Sequence, residues 1–236
     1  MKRLTAVSTF VDDVLLNEQE QVLEVRVGGP AEFFRRVFEK TSQPVQLITG
    51  RRMQVRIKVV LGMPQVGRVV DAGDMQSLPQ INSPNLLLSS LAREWNVLPL
   101  KDYLGRVFLD VQGFVRNPSA GFGRKQVWSE IELIASNLFC IKATELELRF
   151  LPPSFVQDQI ENRCLLLTKG PQGSEIFFRG QAQVYEPEES LNPPDTLGAG
   201  DTYLATFTKE FIQHEDWRAA GLAASQAAFR FLKAKG

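Results

Sequence analysis

Short, unbroken apolar runs recur along the chain. Leu4–Phe10 (LTAVSTF), Val45–Gly50 (VQLITG), Asn85–Leu91 (NLLLSSL), Arg106–Val111 (RVFLDV), Leu138–Ala143 (LFCIKA) and Cys164–Lys169 (CLLLTK) have no polar alternation. Runs of that kind fill strands covered on both faces of a parallel sheet. Between and after them, apolar residues recur at helical spacing over Pro30–Thr41, Lys125–Asn137, Ala199–Gln213 and Trp217–Lys233. The pattern predicts an α/β fold, a mainly parallel central sheet with helices on its faces in three α/β/α layers.

Two segments have a different rhythm. Asp13–Val27 reads as two strands around a polar turn. Within Met53–Val70, Val55, Ile57 and Val59 alternate with Gln54, Arg56 and Lys58 before a Gly-Met-Pro turn. Strict alternation indicates a sheet wet on one face. These segments are expected to form a small antiparallel lid standing off the main layer, and a candidate homodimer surface. Residues 1–236 are otherwise read as a single domain.

Composition narrows the function classes. At 236 residues and 44% hydrophobic content the chain can bury a full core. Lys+Arg and Asp+Glu both number 27, so no basic excess serves nucleic acid. Asp12 and Asp13 cut the first apolar run short of a signal peptide or membrane span, so a soluble, cytoplasmic chain without a membrane partner is expected. Cys140 and Cys164, each inside an apolar run, read as buried thiols in a reducing compartment. His214 is the one histidine, which excludes a multi-His metal centre.

The chemistry concentrates in PPDTLGAGDTYLATF, Pro193–Phe207. It follows two short strands in Glu175–Pro187 and precedes the helical spacing Tyr203, Phe207, Phe211, which places Gly198–Gly200 at a helix N-terminus. There unpaired amides and the helix dipole favour an anion, and glycines let backbone come close to it. A carboxylate at Asp201 could take a proton from a hydroxyl attacking phosphorus. Asp–Gly stretches more often only cap helices. Against that, six fixed residues in seven, D-T-x-G-A-G-D, arise by chance in such a chain with a probability on the order of 10⁻⁵.

DTLGAGD resembles the C-terminal signature of the ribokinase-like, or PfkB, family of sugar and nucleoside kinases. Gly28-Gly29 in RVGGPAEFF is similar to the family's substrate-side di-glycine, IKATELEL stands in the place of its N-x-x-E motif, and LLLTKGPQG resembles its T-x-G-x-x-G. LDVQGFVR, Leu109–Arg116, further resembles the branch containing myo-inositol kinases. The resemblance implies a ribokinase-like fold and ATP-dependent phosphorylation of a hydroxyl on a small sugar, cyclitol or related polyol. It makes Asp201 the general base, with the amides of Gly198, Ala199 and Gly200 stabilising the transferring phosphoryl group. Thr144, Thr168, Gly170, Gly173 and Asp195 fall on the nucleotide side. Glu147 falls at a water-bridged magnesium ion, and a monovalent cation belongs to the implied cofactors. Asp13, Gly28, Gly29, Glu32, Gln112 and Arg116 fall on the acceptor side, the last as a guanidinium just past a strand end.

Glu32 stands where the family commonly has asparagine, and Thr144 stands where N-x-x-E has its asparagine. After LITG the chain passes almost directly to the lid segment, without the usual additional helix and strand, which predicts a trimmed sheet edge. These departures support a second reading, a catalytically silent member that binds a ligand or partner.

Overall fold

Each unbroken apolar run becomes a strand of one sheet in the computed structural model, which describes residues 2–39, 41, 44–58, 66–70, 73–117, 124–189, 191, 193 and 195–235. The first elements are β1 (Leu4–Ser8), β2 (Val11–Leu16), β3 (Val22–Gly28), α1 (Pro30–Phe38), β4 (Val45–Thr49), β5 (Met53–Lys58) and β6 (Val66–Val69). Next come β7 (Gln76–Ser77), β8 (Asn85–Ser89), β9 (Trp95–Asn96), β10 (Arg106–Asp110), β11 (Leu138–Thr144), α2 (Glu145–Leu148) and α3 (Pro153–Asn162). The last are β12 (Cys164–Thr168), β13 (Ser174–Phe178), β14 (Gln181–Tyr185), α4 (Ala199–His214) and α5 (Trp217–Lys233).

The large sheet runs β14-β13-β12-β11-β10-β8-β1-β4. From β12 to β4 every pairing is parallel, and β13 and β14 add an antiparallel edge. With β4 outermost, the sheet edge is as short as the sequence predicts. Side chains alternate between two buried faces. Leu87, Phe108, Cys140, Cys164 and Leu166 pack under α1, α4 and α5. Leu86, Leu88, Leu109, Ile141 and Leu165 pack under Trp128, Ile131, Ile134 and Phe155 on the other side. This double burial is why the runs show no polar alternation.

The segment read as a helix over Lys125–Asn137 forms a 3₁₀ helix at Ser129–Asn137 instead. Ile131 and Ile134, fully buried three residues apart, suit a repeat of three residues per turn. In α4 the buried Leu204, Phe207, Thr208, Phe211 and Ile212 form one stripe. Phe211 lies 5.1 Å from Phe139 and 5.9 Å from both Phe178 and Phe207 between ring centroids, which anchors the helix and fixes where its N-terminus points.

The two alternating segments meet in a second sheet, ordered β3-β2-β5-β6. The antiparallel expectation holds for β2–β3 and β5–β6, but β2 and β5 pair in parallel. The two hairpins are separated by α1 and β4, so they dock side by side rather than as one meander. Met53, Val55 and Ile57 point inward against Val11, Leu15, Leu91 and Ala92, while Gln54 and Arg56 face solvent. The Gly-Met-Pro turn and Val59 lie outside the described residues.

Candidate active site

A cavity of about 450 Å³ opens where the parallel strands end, between the large sheet, the second sheet and the first turn of α4. Its charged end is lined by Asp13, Gln112, Arg116, Lys142 and Asp201. Thr144, Thr168, Gly170, Gly173 and the turn Gly198–Gly200 also line it. Pro171, Pro187, Leu191, Phe229 and Leu232 supply an apolar wall.

Gly198 caps α4 with φ 89°, a conformation costly for other residues, and a Cβ there would come within 2.2 Å of the Phe33 ring. Only glycine lets the turn lie against α1. The amides of Gly200 and Asp201 sit in the first helical turn, where no intrahelical carbonyl reaches them. Ala199 differs from expectation, because its amide donates to the Thr196 carbonyl at 3.2 Å and so serves the turn itself.

Asp201 is half-buried, but its Oδ1 is shut off from solvent and has no hydrogen-bond partner among the described residues. Burial, and next Asp110, push its carboxyl up to about 7, against the opposing pull of Lys142 and Arg116. A carboxyl with that value and a spare oxygen can exchange a proton near neutral pH. Asp13 is raised to about 6, mainly by burial, with Arg26 opposing.

The di-glycine has two separate tasks. A Cβ on Gly28 would lie 1.9 Å from Asp13 Oδ2, so Gly28 gives that carboxylate its space and does not itself line the cavity. Gly29, at φ 79°, would meet the Thr9 carbonyl at 2.6 Å if substituted, and it does line the cavity. Arg116 is held by the Leu91 carbonyl at 3.0 Å. The loop carrying Leu91 is in turn tied by Glu94, which accepts from Thr9 Oγ1, Ser90 Oγ and the Leu91 and Ala92 amides at 2.6–2.8 Å.

Besides Gly28, three predicted residues lie outside the cavity wall. Glu32 is buried, but Arg35 and Arg36 bind its carboxylate at 2.7–2.8 Å and hold it below the ordinary carboxylate range. It therefore brings no free charge to the acceptor side. Asp195 pairs with Arg26 and Lys235 and accepts from the Leu197 amide at 2.9 Å. Glu147 closes a capping box with Thr144, which uses the Thr144 hydroxyl locally, and lies 3.5 Å from Lys125. Burial pushes the Glu147 carboxyl up, but Lys142, the Thr144 amide and Lys125 outweigh it and hold it low.

Among the described residues no group of three or more His, Cys, Asp or Glu could hold a metal ion. Magnesium would be carried on donor phosphates rather than in a cage of protein ligands, since Glu147 lies outside the cavity wall and its oxygens face the Thr144 amide and Lys125. They do not fit an added monovalent cation beside the turn. There Lys235 Nζ already donates to Asp195 Oδ2 at 2.8 Å and to the Leu197 carbonyl at 2.7 Å.

Sequence reasoning missed Asp110, Lys142 and Glu94. The signal for the first two was present, since RVFLDV and LFCIKA each carry one charge inside an apolar strand run. The two residues are register partners on β10 and β11 and form a buried ion pair at 2.8 Å.

A doubly covered parallel sheet with a glycine turn and an acid at its strand ends places the cavity where open α/β sheets bind their ligands. The profile of the pfkB family of carbohydrate kinases matches residues 111–236, more than half of the chain, and the chain belongs to that family. The solved Methanocaldococcus jannaschii nucleoside kinase, an archaeal member of the ribokinase family, superposes with a TM-score of 0.78 at 17% identity, covering 100% of this chain and 93% of that one. A pyrophosphate-dependent kinase of the ribokinase family, solved with a pyrophosphate analog and myo-inositol, superposes with a TM-score of 0.77 at 16% identity, covering 99% and 96%. Among curated proteins, the bifunctional protein HldE of Nitrosococcus oceani is 32% identical over 73 residues, which span 31% of this chain and 15% of that relative's length. Among the described residues no helix is long and apolar enough to cross a membrane.

Proposed function

We propose that the chain transfers the γ-phosphoryl group of ATP to a hydroxyl of a small uncharged polyol, a sugar or cyclitol. The observation that carries this reading is Asp201, a carboxyl raised to about 7 whose buried Oδ1 has no partner among the described residues, at the mouth of α4 in one cavity with Asp13, Arg116 and the glycine turn. Asp13, Gln112 and Arg116 would orient the acceptor hydroxyls at the charged end. Asp201 would accept the proton as the hydroxyl oxygen bonds to phosphorus, and the bond to the β-phosphate would break. The amides of Gly198 and Gly200 would meet the developing charge. Magnesium on the donor would neutralise phosphate charge.

The apolar wall supports a nucleotide donor over pyrophosphate. Phe229, Leu232, Leu191 and Pro171 suit the face of a purine, whereas pyrophosphate has no apolar surface to bury there. A neutral acceptor is favoured because Asp13 puts a second carboxyl beside Asp201. The second sheet would act as a lid over the acceptor, with Asp13 and Ile57 on its cavity side. Its edge strand β3 exposes Val22, Leu23, Val25 and Val27, a surface suited to pairing with a second copy. The free, buried Cys140 and Cys164 support a reducing, cytoplasmic setting.

The test is an assay of phosphoryl transfer across neutral polyols, nucleosides and sugar acids, with ATP and pyrophosphate as alternative donors. Turnover of a neutral polyol with ATP is expected. Faster turnover with pyrophosphate would overturn the donor assignment, and a sugar acid outpacing every neutral polyol would overturn the acceptor class.

A further inference from the structure

Lys142 is the most conspicuous charge that the proposed reaction does not yet use. It occupies the strand β11, whose neighbours Cys140, Ile141 and Ala143 are fully buried, and its own side chain is 5% exposed. A lysine in such a place carries a desolvation cost, and a cross-strand ion pair does not in general repay that cost better than an apolar pair would. A role beyond stability is the natural question.

Geometry supplies one. Nζ donates to Asp110 Oδ2 at 2.8 Å, and the other Asp110 oxygen accepts the Gln112 amide at 3.0 Å, so the anchor is held from both sides. Among the described residues Asp110 is the one hydrogen-bond partner of Lys142 Nζ, which leaves donors of a three-proton ammonium for something else. Those donors face the turn. A Cβ placed on Gly200 would lie 3.0 Å from Lys142 Nζ, and Lys142 lines the cavity with Gly198, Gly200 and Asp201. The other route to neutralising a phosphoryl group is weak here, since both Glu147 oxygens already face the Thr144 amide and Lys125.

We infer that Lys142 is a catalytic residue: anchored by Asp110, its ammonium donates a hydrogen bond to an oxygen of the transferring phosphoryl group, across from the amides of the Gly198–Gly200 turn. The inference rests on the kinase reading above. No proton leaves Lys142 in the step. The phosphorus bond to the β-phosphate oxygen breaks, the bond to the acceptor oxygen forms, and the acceptor proton goes to Asp201. The ammonium compensates charge on the group in flight. Asp110 acts through Lys142 and is a positioning residue.

The competing account is that Lys142 only neutralises Asp110. Removing both charges separates the two. The double variant Asp110→Asn with Lys142→Met leaves no unpaired charge, and Asp110→Asn with Lys142→Gln also keeps a cross-strand hydrogen bond should the first pair fail to fold. Each is tested for turnover with ATP and the best polyol, and calorimetry compares affinity for adenylyl-imidodiphosphate, which carries a γ-phosphoryl mimic, with affinity for ADP, which does not. The inference expects kcat to fall about 10²- to 10³-fold, the magnitude seen when one charge-stabilising donor is lost. It also expects the analogue to bind at least tenfold more weakly while ADP binding changes less than threefold. Turnover within threefold of wild type, or a loss of turnover with the analogue-to-ADP ratio unchanged, would overturn it and leave the kinase reading standing. Wild-type protein that phosphorylates no polyol, yet shows the shifted ratio in the variants, would sink the kinase reading and keep the phosphoryl contact.

Discussion

Asp195 and Asp201 bracket the same glycine turn, and the protein drives them toward opposite charge states. At Asp195 burial raises the carboxyl, but Lys235, the Leu197 amide and Arg26 overcome it and pull it down to about 2. At Asp201 burial dominates, Asp110 adds to it, and the carboxyl rises to about 7. One aspartate is a permanently charged clasp joining β3, the loop before α4 and the end of the chain. The other, the base of the proposed reaction, has no hydrogen-bond partner on Oδ1 among the described residues. A motif specifies residue types, while the number and sign of neighbouring charges assign the work.

The sharpest way to break this contrast is Asp201→Asn. Loss of the base is expected to lower kcat by about 10²- to 10⁴-fold while ADP affinity stays within about threefold, read by steady-state kinetics and calorimetry. Near wild-type turnover would reduce Asp201 to a helix cap.

The same residue sets the acid side of the pH profile. As the free enzyme must ionise Asp201, kcat/KM should fall about tenfold per pH unit below about pH 7. Stability should move the other way. The folded-state value lies above the ordinary 3.8, so the stabilisation from holding the proton is complete below pH 4 and is lost as pH rises through 7. Asp201→Asn should therefore be more stable than wild type at pH 8, by an amount on the order of 2 kcal/mol, and less so at pH 5. Thermal unfolding at the two pH values checks the sign.

Away from the motif, Phe229→Ala should raise KM for ATP about tenfold and leave kcat nearly unchanged, because a wall for the base contributes equally to ground and transition states. Equal loss in kcat would place Phe229 closer to the chemistry than the cavity suggests.

Asp195→Asn should do the reverse of Asp201→Asn. Turnover should stay within about threefold, and stability at pH 7 should fall by about 1–2 kcal/mol as Arg26 and Lys235 lose a charged partner. The smallest effect is expected at Glu32→Gln, where the acceptor KM should not change and stability should fall by about 1 kcal/mol or less, because its arginine partners are half in water.

Much of this molecule is legible in the sequence because burial on both faces leaves a visible mark. LLL in β8 and CLLL in β12 can only be central strands, and the alternation in Met53–Lys58 can only be a half-wet one. The 3₁₀ segment was hidden because apolar spacings of three and four overlap over nine residues. The parallel β2–β5 pairing was hidden because alternation reports which face is buried and not which neighbour a strand meets. The glycine turn and the acid after it were readable as a candidate anion site, since backbone freedom and helix-end amides are local properties.

The sequence by itself determined the layered α/β architecture, the position of the glycine turn at the start of α4 and the identity of the acid beside it. Each follows from residue type and spacing within one element. Only the tertiary structure decided that Glu32 is spent on Arg35 and Arg36, that Asp195 is a clasp, and that Lys142 reaches over Gly200 from a neighbouring strand. Those outcomes depend on charges brought together from segments far apart in the chain, and electrostatic interactions follow distance and burial in space rather than separation in sequence.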